Sequence, residues 1–155
     1  HSAPPAQALV VEVRGEQFGW KARYPGPDGK FGRIDARHYN ARENPWALDP
    51  ADPAAQDDLV LDISTAAELH LVVDRPVEVR IRAKDVLHSF FVPAFRVKQD
   101  AVPGMVTSIW FTPTKTGPYE IACAELCGLL HYIMRGKIVV QTQEEFDAWL
   151  AQTRS

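Results

Sequence analysis

The sequence has few devices for holding a fold together other than its own core. Only two of its 155 residues are cysteine, Cys123 and Cys127. That excludes a disulfide framework, and one bridge between such close neighbours would close a tiny loop and stabilise little. Long hydrophobic runs are missing too. The most apolar stretch, residues 86–95, is interrupted by His88, Ser89 and Pro93, so no segment reads as bilayer-spanning. Excess positive charge is absent: 17 Lys+Arg against 20 Asp+Glu give a formal net charge of -3. Duplex and single-strand binding need a basic stripe, so nucleic acid is excluded as a partner. There are no internal repeats and no low-complexity tracts. The opening residues, His1-Ser2-Ala3-Pro4-Pro5, carry no initiating Met, basic region or signal-like apolar core. The chain is therefore expected to be processed or cut from a longer protein.

What is present suits one globular domain spanning residues 1–155. Hydrophobic residues make up 46% of the chain, and a chain of this length buries roughly 70% of its unfolded surface. A core can form without staples. Twelve prolines and nine glycines punctuate short runs rich in Val, Ile and Phe, the pattern of an antiparallel β domain. Strands are expected at 8–14, 18–24, 59–63, 69–73, Val77–Ala83, 106–112, 119–123 and 137–141. In the clearest of them Val77, Val79, Ile81 and Ala83 face one way and Glu78, Arg80 and Arg82 the other. Residues 31–58 are polar and carry Pro45, Pro50 and Pro53, with Asp49, Asp52, Asp57 and Asp58 toward their end. They read as a long surface insertion, either a solvated excursion or a docking surface for a basic partner, with Trp46 exposed on it. Near the C-terminus the period changes. Phe146, Trp149 and Leu150 lie at helical spacing, and Thr142 with Glu145 fits a capping box. The resulting fold class is all-β, a sandwich or barrel with a short C-terminal helix.

The chemistry is concentrated in Cys123-Ala-Glu-Leu-Cys127-Gly-Leu-Leu-His131-Tyr-Ile-Met134. Two thiols, an imidazole and a thioether fall within twelve residues, and all are soft or borderline metal ligands. His88 lies 35 residues before Cys123, at the end of the clearest strand, where converging loops would bring it to the same centre. Zinc would take Cys123, Cys127, His88 and His131 as a closed tetrahedron, which leaves Met134 unused. A mononuclear copper site would take His88, Cys127, His131 and a weak axial Met134, which leaves Cys123 over. Two thiolates bridging two copper ions use the whole set. His88 and His131 then cap one copper each, Met134 is a weak axial ligand, and a backbone carbonyl between the cysteines, that of Glu125, fills the other axial place. Such a centre spreads one electron's charge over two metals and has no open coordination position, so it suits electron transfer rather than substrate chemistry. Asp85, three residues before His88, reads either as a partner that orients the imidazole through a hydrogen bond or as a strand-end polar residue. His38 and His70 read as structural or exposed, Met105 as packing, and Trp20, Trp110 and Trp149 as core aromatics.

This pattern resembles the CuA domain of subunit II of cytochrome c oxidases in the haem-copper family. The resemblance rests on Cys-x-Glu-x-Cys-Gly-x-x-His-x-x-Met, the upstream Asp85-Val-Leu-His88-Ser, and the turn Val102-Pro103-Gly104. It implies a cupredoxin fold, a Greek-key β-sandwich or barrel. It implies two bound copper ions, and a magnesium or manganese ion at the subunit I interface reached by the Glu125 carboxylate. It implies electron transfer from a c-type cytochrome to haem in subunit I of the complex, with no catalysis in the domain itself. It also implies two N-terminal transmembrane helices outside this sequence, which would anchor the domain on the periplasmic face of a bacterial membrane. The family's Gln-Trp-aromatic-Trp stretch reads here Gln17-Phe18-Gly19-Trp20. Phe18 thus stands at the electron-entry position and Trp20 at the later one, and both are assigned to entry and docking. Nitric oxide or nitrous oxide reductases carry the same copper motif and are the alternative setting. A copper-delivery protein and a structural zinc domain are the remaining alternatives.

Overall fold

The computed structural model describes residues 7–16, 19–26, 29–34, 36–40, 43–44, 46–122 and 135–154. The chain divides into two compact units, one made of His1–Ala22 with Leu61–Ser155 and the other of Arg23–Val60.

Among the described residues the first unit is built from strands, a 3-10 turn at Pro93–Phe95 and one α-helix. At the centre of its largest sheet β1 (Leu9–Glu16) runs parallel to β5 (Val77–Ala83), with Val11 opposite Val79 and Val13 opposite Ile81. All four side chains are fully buried, each contributing about 1.5–3 kcal/mol of hydrophobic stabilisation. With β2 (Gly19–Tyr24), β3 (Leu59–Asp62) and β8 (Thr107–Phe111) the sheet order is β3-β2-β1-β5-β8. Residues 19–22 of β2 and 61–62 of β3 are the parts of those strands that lie in this unit. A second sheet has the order β4-β10-β9, from Leu69–Val72, Gly136–Gln141 and Gly117–Ile121. β6 (His88–Val92) and β7 (Val97–Ala101) form an antiparallel pair.

The all-β class agrees with the sequence reading, and the purely antiparallel pattern does not. The β1–β5 and β4–β10 pairs are both parallel. Parallel neighbours need long crossovers rather than tight turns, and residue alternation within a strand does not reveal its neighbour's direction. β6 and β7 escaped the reading because His88, Ser89, Lys98 and Asp100 break up their apolar pattern. On the outer face of β1, Glu12 is buried yet polar. It accepts a hydrogen bond from Arg82 Nε of β5, which is how a charge is kept out of water at modest cost.

The helix α2 (Gln143–Arg154) begins as its capping box predicts. Glu145 Oε1 accepts from the Thr142 N–H at 3.0 Å, and Thr142 Oγ1 accepts from the Glu145 N–H at 3.2 Å. Phe146 is buried. Trp149 stacks on His70 of β4 with ring centroids 3.7 Å apart, and His70 Nδ1 is 2.7 Å from Gln141 Oε1 of β10.

The second unit, Arg23–Val60, contains the segment read as a surface insertion. Its interior is organised by a cation. The Arg23 guanidinium lies 4.7 Å from the Phe31 ring centroid and 5.1 Å from that of Trp46. It is paired with Asp58 at 2.9 Å, and both side chains are almost completely out of solvent. Asp58 Oδ2 also accepts from the Gly32 N–H at 2.9 Å. A short helix α1 (Pro53–Asp57) is capped by Asp52, with Pro53 in its first turn. Trp46, expected to be exposed, is buried. Of the aspartates read as a docking face, Asp58 is turned inward and Asp49 and Asp52 are tied locally. Asp49 accepts from the Ala51 N–H and meets Arg33, and Asp52 accepts from the N–H groups of Arg33 and Ala54. Those backbone hydrogen bonds, ahead of the Arg33 charge, hold both carboxyls below the usual aspartate range.

Candidate metal centre

His88 does not end β5, as the sequence suggested. It opens β6, after the link 84–87. Its side chain is completely buried. Asp85 Oδ1 lies 2.9 Å from His88 Nε2, a geometry in which Nε2–H donates to the carboxylate. In a neutral ring this hydrogen bond leaves Nδ1 as the nitrogen with a lone pair, the form in which imidazole ligates a metal. Asp85 itself stays partly open to solvent, so its charge remains hydrated while its hydrogen bond fixes the ring. Trp20, also fully buried, meets the imidazole edge-on with centroids 6.0 Å apart and planes at 62°. On its other side Trp20 meets Phe90 at 5.9 Å and 82°. Trp20 Nα donates to Ser64 Oγ at 2.7 Å, which fixes its place in β2. Its burial puts Trp20 behind His88 rather than on an open docking face.

Cys123, Glu125, Cys127, His131, Met134 and Phe18 lie outside the described residues. The described residues on either side of segment 123–134 are held in the sheets, Ala122 beside β6 and Gly136 in β10. The Ala122 N–H donates to the Phe91 carbonyl at 2.8 Å, three residues along the strand from His88. Beyond the other end, Gly136 pairs with Ile121 in the β9–β10 ladder. A Cβ on Gly136 would come 2.8 Å from Ile121 Cδ1, so that exit is closely packed. Among the described residues no three His, Cys, Asp or Glu side chains gather as a metal site. Four of the expected side-chain donors belong to segment 123–134.

His88 pairs with Ala101 across the β6–β7 ladder. The sequence reading passed over Ala101, whose small side chain beside a buried ring was the only available signal. The links 84–87 and 102–106 therefore leave the same end of this pair. Val86, Leu87, Met105 and Val106 on them are exposed. Met105, read as a packing residue, is 54% exposed, because the turn carries it beyond the sheets.

The described sheets define a β domain of cupredoxin-like architecture. A family model described as the cytochrome c oxidase subunit II periplasmic domain matches residues 9–143, and the chain belongs to that family. An alternative cytochrome c oxidase subunit 2 from Bradyrhizobium diazoefficiens is 46% identical over 151 residues, covering 97% of this chain and 53% of that protein. A cytochrome c oxidase subunit 2 from Thermostichus vulcanus is 47% identical over 150 residues, covering 97% of this chain and 35% of the other. The chain thus spans about half, or less, of the curated relatives it matches. The crystal structure of the periplasmic domain of cytochrome oxidase subunit II from Bradyrhizobium japonicum superposes with a TM-score of 0.68 at 30% identity, over 97% of this chain and 96% of that one. Among the described residues no helix is long and apolar enough to cross a membrane.

Proposed function

We propose that this chain is the electron-entry domain of a haem-copper oxidase. It holds two copper ions through His88, Cys123, Cys127, His131, Met134 and the Glu125 carbonyl. The observation that carries the reading is the pinning of Ala122 to β6, three residues from a buried imidazole whose Nε2 is already committed to Asp85. The donor set fits copper: two thiolates, two imidazoles and a thioether are the soft ligands that this metal selects. When bound, the copper pair would supply a one-electron store shared across two metals.

The protein's own part is to hold the donors still. β6 fixes the His88 backbone, Asp85 fixes its tautomer, and Trp20 blocks one edge of the ring. A scaffold that does not relax when an electron arrives keeps the reorganisation cost low. Trp20, buried against His88, serves entry from inside the domain, and Phe18 belongs to the docking stretch. The electron comes from a c-type cytochrome and passes to haem in the oxidase's subunit I. The exposed apolar links beside His88 offer a dry rim for such short-lived contacts. The Glu125 carboxylate is assigned to a magnesium or manganese ion at the subunit I boundary. In the full-length protein N-terminal helices anchor the domain to the membrane. The curated relatives are named as oxidase subunits, which favours this setting over a nitric oxide or nitrous oxide reductase.

The test is copper loading of the reduced chain. A purple protein with two coppers and a paramagnetic-resonance signal delocalised over both is expected. Cys123→Ser should lose that spectrum, becoming mononuclear or copper-free. A Cys123→Ser variant retaining the full two-copper spectrum would remove the bridging role. Met134→Leu should keep the centre and shift its reduction potential.

A further inference from the structure

We propose that Gly15 is a positioning residue for His88, and that the space left by its missing side chain sets the orientation of the imidazole. Its consequence for copper rests on the reading above. A Cβ built on Gly15 would lie 2.9 Å from His88 Cγ and 3.0 Å from both His88 Cβ and Cδ2. These atoms are the root of the ring, not a flexible tip. The clash cannot be relieved by turning the far end of the side chain away; the ring must change its torsion or the strands must part.

Backbone conformation does not explain the glycine. Gly15 is absent from the residues with positive φ, so an alanine could adopt its backbone geometry. Glycine inside a strand is disfavoured, and it marks sites where another group approaches closely. Gly15 is also fixed in place on both sides. It stands opposite Ala83 in the β1–β5 ladder, and its carbonyl accepts from the Lys84 N–H at 2.9 Å. That bond ties down the start of the link carrying Asp85, whose carboxylate holds Nε2. The imidazole therefore sits in a socket with Gly15 at its root, Ala101 across the ladder and the Trp20 edge beyond. Enlarging position 15 pushes the ring against Trp20 or away from Asp85, and in either case changes the direction of Nδ1.

The contact is tested first in the wild-type, metal-free chain. Nuclear Overhauser contacts from Gly15 Hα to His88 Hδ2 and Hβ are expected, and their absence overturns the proposal whatever the variants do. Gly15→Ala should then move the His88 ring resonances. It should weaken copper binding, measured by chelator competition, by about 10–100-fold, the usual effect of disturbing the groups that orient a ligand, and alter the hyperfine pattern of any bound copper. Gly117→Ala is the control. It is strained by a φ of 139° with nothing near its Cβ, so it lowers stability without touching His88, and all three readouts should stay unchanged. A folded Gly15→Ala chain with wild-type His88 resonances and copper spectrum also overturns the proposal. If the wild type takes up no copper pair while Gly15→Ala still shifts the ring, the copper reading falls and the positioning role stands.

Discussion

The two units bury charge in opposite ways. In the first, the interior is aliphatic and aromatic: Val11, Val13, Val79, Ile81, Phe90 and Ile138. Buried polar groups there have partners that reach solvent: Asp85 for the His88 imidazole and Arg82 for Glu12. In the second, Arg23 and Asp58 are both inside, held between Phe31, Trp46 and the Gly32 backbone. A short polar segment without alternating apolar residues can still build an interior when an ion pair with stacked rings supplies it. Such an interior is intolerant of losing one partner. An apolar sheet core, in contrast, loses stability in small steps as methylenes are removed.

The largest expected effect tests that intolerance. Asp58→Ala leaves a buried guanidinium without its counter-ion and should cost about 3–5 kcal/mol, read as a lower urea midpoint. The matched double variant, Arg23→Met with Asp58→Leu, should recover most of that loss, because apolar replacement of a whole buried pair is often neutral. A double variant as unstable as the single would mean that the aromatic and Gly32 contacts of Arg23, not its charge balance, hold the segment. In the sheet core Ile81→Val should cost only about 0.5–1.5 kcal/mol; a loss as large as that of Asp58→Ala would erase the contrast. Thr142→Ala removes the N-cap of α2 and should cost about 1 kcal/mol, measured by thermal unfolding.

The smallest effect is a pH dependence. Burial, outweighing the hydrogen bond to Gln141, holds the His70 imidazole below its ordinary 6.5. As pH falls, the unfolded chain takes up that proton before the folded one. The contribution of His70 is therefore fully present above about pH 6.5 and declines as pH falls toward the lowered folded value. His70→Gln should flatten that part of the stability profile. An unchanged slope would show that other groups set it.

Much of the β framework was legible because alternation reports burial directly. Val77–Ala83 appears in the structure with the bounds read from sequence, and the Thr142–Glu145 box starts α2 as read. β6 and β7 were missed because a strand that carries a buried histidine and alternating charges does not look apolar. The Arg23–Val60 unit hid the burial of Trp46 for a related reason. Its interior is a cation, two rings and a carboxylate, which hydropathy counts as surface. Of the candidate centre, the sequence supplied the donor types and spacing and the Asp85–His88 pairing. It placed His88 on the wrong strand, and it gave no sign of Gly15, since a glycine needed for space leaves no chemical signature of its own.

By itself the sequence determined which atoms are available to bind a soft metal, because ligand chemistry belongs to residue type, and which strands have an inside and an outside, because alternation is local. Only the tertiary structure decided that His88 opens a strand, that Ala122 is bonded beside it, that β1 and β5 run parallel, and that Gly15 must have no side chain. Each of these depends on groups far apart along the chain meeting within a few ångströms, and no local pattern encodes that distance.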